Sequence, residues 1–230
     1  MMDVLAEAWR LVATRNADLV EIASLSMRVT GMAVAIALAI GLPLGAAAGA
    51  LRFPGRRLLA VLLSAAMGLP PVVVGLSVYL LLSASGPFGA AGLLYSPAAM
   101  VIAQTVLVTP IVAALTREAV ARRAAEYGEL FASLGAGPVR RMGALLWDLR
   151  ATVATVALAG FGRAVAEVGA VIVVGGNIDH HTRVMTTAIA LETSRGQLEL
   201  ALALGMVLLS VSLAVNAAVL VIGHERVRAA

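Results

Sequence analysis

Residues 29–51 read VTGMAVAIALAIGLPLGAAAGAL, a run of 23 residues with no charge anywhere in it. About 20 predominantly apolar residues cross the hydrocarbon core of a bilayer as a helix, so Val29 to Leu51 predicts a transmembrane span. Working outward, the same length and character recur from about Leu58 to Ser83, Pro97 to Leu115, Thr152 to Val174 and Leu198 to Ile222. Of these, the second and third carry no charge, the fifth carries only Glu199 at its first turn, and the fourth carries Arg163 and Glu167. Ahead of the first span, Val4 to Ala13 mixes apolar and charged residues in a helical pattern, which fits a helix lying in the membrane interface. The expectation is an all-α polytopic membrane bundle of about five transmembrane helices plus that N-terminal interfacial helix.

Composition agrees. The 230 residues are 61% hydrophobic and 13% charged, with a mean hydropathy of +0.97, far from a soluble domain of this length. Apolar runs follow one another with no long polar stretch between them, so residues 1–230 are read as a single transmembrane domain. Cysteine is absent, which excludes disulfides and thiolate metal sites. The start, Met1-Met2-Asp3-Val4, lacks the basic region of a cleaved signal peptide, so none is expected.

All seventeen basic residues are arginines. A nucleotide-binding phosphate loop needs a lysine on the terminal phosphates, so any ATP chemistry has to come from a partner chain. The calculated pI near 10.6 invites a nucleic-acid reading, but the arginines flank apolar spans and form no aromatic stacking platform. Topology accounts for them, because short arginine-rich loops stay in the cytoplasm. Arg52, Arg56 and Arg57 lie between the first two spans, six arginines from Arg117 to Arg150 between the third and fourth, and Arg226 and Arg228 after the fifth. The expected topology is therefore amino terminus outside, carboxy terminus in the cytoplasm.

Four stretches bear on function. The loop after the third span holds Glu126-Tyr127-Gly128-Glu129-Leu130-Phe131-Ala132-Ser133-Leu134-Gly135-Ala136-Gly137-Pro138, a short helix ended by glycines, with residues 124–140 forming a cytoplasmic knob. In the fourth span, Arg163 and Glu167 stand four residues apart, so one helix face brings them together. A lone charge at mid-membrane costs at least ~2.5–3.5 kcal/mol, which favours a bundle-facing or water-facing pair. Such a pair either holds helices in register or belongs to a transport pathway, and both readings stand at this point. Gly68-Leu69-Pro70-Pro71 interrupts the second span, because two prolines remove backbone donors, and such a break is tolerated beside a cavity or as a packing kink. Finally, the segment after the fourth span supplies Asn177, Thr182, Arg183, Thr186 and Thr187, the hydroxyl, amide and guanidinium donors that bind oxyanions. The adjacent His180 and His181 have no supporting carboxylate or thiolate cluster, so no metal site is expected.

The loop segment resembles the E-A-A-x-x-x-G coupling motif of binding-protein-dependent ABC importer permeases, with Glu129 at the acidic position and Gly135 at the glycine. Leu130 and Phe131 replace the alanines, and Leu145-Leu146-Trp147-Asp148 replaces the family's hydrophobic-x-Leu-Pro. Gly160 to Ala170, Val174-Gly175-Gly176-Asn177-Ile178 and Met185-Thr186-Thr187-Ala188-Ile189 are similar to the tungstate permeases, and more loosely to the molybdate and sulfate permeases. The resemblance implies a type I ABC importer permease fold and import of an oxyanion, tungstate before others, across the inner membrane. It implies a homodimer with two cytoplasmic ATP-binding subunits, which carry ATP-Mg, and an external oxyanion-binding protein; this chain binds no cofactor. It also implies that Glu126, Glu129, Leu130, Phe131, Gly135 and Gly137 couple to the ATPase, and that Pro70, Pro71, Arg163, Glu167 and the five donors above belong to the pathway or gate. The alternatives are a molybdate or sulfate importer permease, or a stand-alone secondary carrier, although paired inverted repeats are not visible.

Overall fold

The computed structural model describes the backbone of residues 2–229 and the side chains of residues 4–222. Among the described residues every regular element is helical. The order is α1 (Met2–Ala13), α2 (Ala17–Ala50), α3 (Arg56–Met67), α4 (Pro71–Leu82), α5 (Pro97–Glu126), α6 (Gly128–Ser133), α7 (Pro138–Asp148), α8 (Arg150–Val165), α9 (Gly169–Gly175), α10 (Met185–Ser194) and α11 (Leu198–Ala229). A 3-10 turn, Gly89–Ala91, interrupts the loop between α4 and α5.

Three of these helices are long and apolar enough to cross a membrane on their own, at Ala17–Ala50, Pro97–Glu126 and Leu198–Ile222. The first two extend beyond the spans expected from hydropathy. Asn16 caps α2, its side chain accepting from the backbone N–H groups of Asp18 and Leu19, so the helix begins a dozen residues before the apolar run. Ser96 caps α5, with Pro97 at its first position, and that helix continues past Leu115 through an arginine-rich last third to Glu126.

Helices α2 and α5 form the spine. Gly41 lies against Val112, Gly45 against Ala113 and Thr116, and Gly49 against Arg117 and Val120. The numbers rise together, so the two helices run parallel. The chain therefore returns between them, and the arginine-bearing ends of both lie at one end of the bundle. There Arg56 donates from Nε to the Ala48 carbonyl at 2.8 Å and from a terminal nitrogen to the Gly49 carbonyl at 2.7 Å, satisfying two free acceptors at the end of α2. Helix α8 runs the other way along α5, with Gly160 at Val108 and Ala164 at Gln104.

The second and fourth spans are not continuous helices. Helices α3 and α4 meet at 102° across Gly68-Leu69-Pro70, a turn far sharper than a kink, because Pro70 and Pro71 cannot donate to the preceding turn. The segment expected as one span from Thr152 to Val174 divides into α8 and α9 around Ala166-Glu167-Val168. No proline or glycine occupies that break; the Glu167 side chain takes over instead, its Oε1 accepting from the N–H of Ala170 at 3.2 Å. At the arginine-rich end, α7 meets α8 at 76°. The segment expected as an outer loop after the fourth span contains a further helix, α10.

The N-terminal helix is present at Met2–Ala13. It buries Ala8 with Leu19, Ile22, Met185, Ala203 and Leu204 and leaves Leu5 and Trp9 exposed. Arg226 and Arg228, which contribute to the topology reading, fall among the side chains outside the described residues.

Candidate functional site

The two helix breaks adjoin. A methyl group built on Gly75 of α4 would lie 2.7 Å from the Cα of Ala170 in α9, and one on Gly169 would lie 2.7 Å from Cγ2 of Val72 and 3.6 Å from Oε1 of Glu167. Only glycines permit that approach, and it sets the first turn of α4, opened by Pro70 and Pro71, beside the first turn of α9. The amide end of a helix favours negative charge. Glu167 already answers part of that field from within the chain.

Its carboxylate is buried, with 4% of the side chain exposed, and carries two partners. Oε2 accepts from Arg163 at 2.6 Å, and Oε1 accepts from the N–H of Ala170. Arg163 is 39% exposed, so its guanidinium reaches from the buried carboxylate to the outer surface of this single chain. The hydroxyl of Thr186 donates to the backbone carbonyl of Glu167 at 2.9 Å, tying α10 to the break. Pro70, Pro71, Arg163, Glu167 and Thr186 thus converge on one region of the bundle.

The other expected pathway residues do not join them. Thr182 is fully buried; its hydroxyl donates to the Gly175 carbonyl and accepts from the N–H of Ile178. Thr187, also fully buried, donates to Oδ1 of Asn177 at 2.8 Å, and the Asn177 amide returns to the Thr187 carbonyl at 3.4 Å. Arg183 pairs with Asp179 at 2.9 Å and lies 4.0 Å from Glu192. These four hold the turn between α9 and α10 in shape. Asn177 and His180 have φ of +51° and +53°, a left-handed geometry that non-glycine residues adopt only when their surroundings fix it.

That turn is also fastened to α2. Inside, Ser26 Oγ accepts from the N–H of Met185 at 2.7 Å; at the surface, His180 Nδ1 lies 3.0 Å from Oε2 of Glu21. Asp18, Glu21, Asp179, His181 and Arg183 surround His180 in a small open cavity. The hydrogen bond and charge of Glu21, aided by Asp179 and Asp18, raise the His180 pKa above its ordinary 6.5, against a smaller opposing effect of burial. Among the described residues no three His, Asp or Glu side chains converge as metal ligands.

At the arginine-rich end, α6 ends as expected, at Gly135. The N–H of Gly135 bonds to the Ala132 carbonyl at 3.2 Å and that of Ala136 to the Phe131 carbonyl at 3.1 Å, a Schellman closure requiring the φ of +59° that Gly135 adopts. Phe131 packs inward with Tyr127 and Leu145, while Leu130 and Leu134 are exposed. Glu126 closes α5, paired with Arg123 at 2.8 Å; Glu129 sits in the first turn of α6, and Gly137 caps α7. With exposed Val139 and Trp147 on α7, the elbow presents apolar side chains on a rigid support.

Among the buried polar residues that the sequence analysis does not single out are Gln104 and Glu192. Gln104, 4% exposed, donates from Nε2 to the Ala164 carbonyl at 3.1 Å. It is the one amide side chain in the third apolar run, a signal the sequence does contain. Glu192, 2% exposed, stands between Arg183 and Arg195 and is legible only once α10 is known to be a buried helix.

A bundle of apolar helices, two of its spans broken side by side around a buried charge pair, and a rigid elbow at one end define a multi-pass membrane transport subunit. The chain belongs to the family of binding-protein-dependent transport system inner membrane components, which matches residues 41–226. It is 40% identical over 228 residues to the tungstate uptake system permease protein TupB of Peptoclostridium acidaminophilum, covering 97% of this chain and 100% of that protein. It is 41% identical over 206 residues to a probable anion ABC transporter permease protein of Haloferax volcanii, covering 86% and 88%. Against the tungstate uptake system permease protein TupB of Campylobacter jejuni it is 35% identical over 164 residues, covering 71% and 69%.

Proposed function

We propose that this chain is the translocating subunit of a tungstate importer, working as a homodimer with two cytoplasmic ATP-binding subunits and an external oxyanion-binding protein. The observation that carries the reading is the junction of the two broken spans. Discontinuous membrane helices whose amino-terminal ends meet in the bundle suit an anionic substrate, because their free N–H groups and dipoles favour negative charge. Arg163 adds a guanidinium at that junction, and the tungstate and anion permeases among the relatives agree with such a substrate.

The chain lacks lysine and therefore a phosphate loop, so work reaches it mechanically. The elbow from Glu126 to Gly137 is the contact through which closure of the ATPases tilts α5 and α8 and opens the helix breaks alternately to each side. On this reading Pro70, Pro71, Arg163, Glu167 and Thr186 act at the gate. Asn177, Thr182, Arg183 and Thr187 shape the outer vestibule through which the anion leaves its binding protein. The arginine-rich end faces the cytoplasm.

The test is uptake by the complete importer in vesicles, with tungstate, molybdate and sulfate supplied in turn on the cognate binding protein. Tungstate uptake that requires ATP and the binding protein supports the reading. Preference for molybdate or sulfate changes the substrate, and uptake without ATPase subunits replaces the importer with a secondary carrier.

A further inference from the structure

The Arg163–Glu167 pair sits beside an acceptor that nothing satisfies. Gln104 is 4% exposed, its amide nitrogen fixed on the Ala164 carbonyl, and its Oε1 is buried without a hydrogen-bond partner. Gln104, Leu107, Val108, Arg163, Ala164 and Glu167 line one narrow cavity. A buried acceptor left unpaired is costly, so its retention beside a cation calls for a donor that reaches it in another state. Arginine has five N–H donors in a planar fork, and among the described residues the guanidinium of Arg163 has no partner besides Glu167. Apart from Gln104 itself, it is the one side chain lining that cavity that carries N–H donors.

We infer that Gln104 is a positioning residue for transport: it clamps the end of α8 through the Ala164 carbonyl, and its free Oε1 is a second station for the Arg163 guanidinium. This rests on the reading of Arg163 as part of the anion pathway. The physical reason for a second station is charge. A guanidinium 2.6 Å from a carboxylate presents little net field to an arriving anion, whereas one held by a neutral amide keeps its full charge. Transfer from Glu167 to Gln104 therefore unmasks Arg163 when the breaks open, and return to Glu167 expels the anion onward. Glu167 retains the Ala170 N–H throughout, so α9 stays capped.

The test is a double-mutant cycle in the reconstituted importer with Gln104→Met, Arg163→Met and both together, measured at saturating liganded binding protein. Gln104→Met keeps the volume and removes the acceptor. It is expected to lower tungstate uptake roughly ten- to a hundredfold, the span of one hydrogen bond from a charged donor, while binding-protein-stimulated ATPase stays within about twofold. The double mutant is expected to be no slower than Arg163→Met alone, because both changes disable one exchange. Additive losses, or uptake and ATPase falling together, would assign Gln104 a packing role only and overturn the inference. If Gln104→Met lowers membrane yield, Gln104→Asn, which keeps an amide but withdraws it by one methylene, takes its place in the cycle, with the same outcomes deciding. If Arg163→Met transports normally, the pathway reading itself falls and the inference with it; a defect in Arg163→Met with none in either Gln104 variant sinks the inference alone.

Discussion

At the scale of single residues, a buried charge pair in the bundle contrasts with charges that fasten a surface turn. Glu167 is buried and doubly bonded, and Arg163 is its one charged partner. Removing one member of a fully buried pair costs about 3–5 kcal/mol, and the 39% exposure of Arg163 places this pair below that range. Glu167→Gln and Arg163→Ala are expected to lower uptake more than Glu199→Gln, a change in the first turn of α11, with membrane yield measured alongside. Equal uptake in all three would make the pair dispensable. His180 is a fastener whose strength depends on pH. Its pKa is raised by Glu21, so the imidazolium's contribution is complete below the unfolded value near 6.5 and is lost as pH rises through the folded value. The difference in melting temperature between the unmutated protein and Glu21→Gln in detergent is expected to shrink between about pH 6 and about pH 8. A constant difference across that range would show that the contact is not an ion pair.

At the scale of elements, glycine decides how closely helices meet and where one ends. A methyl on Gly45 would press on the Ala113 carbonyl oxygen and lie 2.8 Å from Cβ of Thr116, whereas one on Gly31 of the same helix would meet nothing within 4 Å. Gly45→Ala is expected to destabilise the α2–α5 spine by about 1–3 kcal/mol, read as a lower melting temperature, and Gly31→Ala to change it little. At Gly135 a side chain meets open space but not an open backbone, since the φ of +59° costs an L-residue roughly 1–2 kcal/mol. Gly135→Val is expected to leave insertion intact and to lower uptake and stimulated ATPase together; transport at the unmutated rate would move the coupling contact elsewhere. The sequence made this elbow legible because glycine punctuates it, and it made the spans legible because their length is set by the bilayer. It did not disclose the break at Ala166-Glu167-Val168, which holds no proline or glycine and where the Glu167 side chain caps the start of the next helix. Likewise Thr182 and Thr187 look like donors for an anion in the sequence, yet their hydroxyls are engaged inside the turn. Residue chemistry is written in a sequence, but the partner that uses it is supplied by packing.

At the scale of the whole molecule, orientation follows from combining packing with charge. Because α2 and α5 run parallel, the loop carrying Arg52, Arg56 and Arg57 and the one carrying Arg117, Arg122, Arg123, Arg140, Arg141 and Arg150 occupy one end. The opposite end holds the charge-free residues 83–96 and the turn around Asp179 and His180, which packs on the first turns of α2. A membrane protein keeps its arginine-rich short loops on the cytoplasmic side. Nine arginines stand at that end against Arg10 and Arg15 beside the start of α2 and Arg183 and Arg195 of the α9–α11 connection, which leaves one orientation favoured, and Arg10, Arg183 and Arg195 are each paired with an acidic group. Reporters fused after Arg57, Gly137 and Ala230 are therefore expected to report cytoplasm, and reporters after Gly86 and Asp179 the exterior. An inverted pattern would turn the elbow away from any cytoplasmic ATPase and remove the mechanical route to the helix breaks. A mixed pattern, with the sites after Arg57 and Gly137 on opposite sides, would contradict the parallel α2–α5 packing on which the whole arrangement rests.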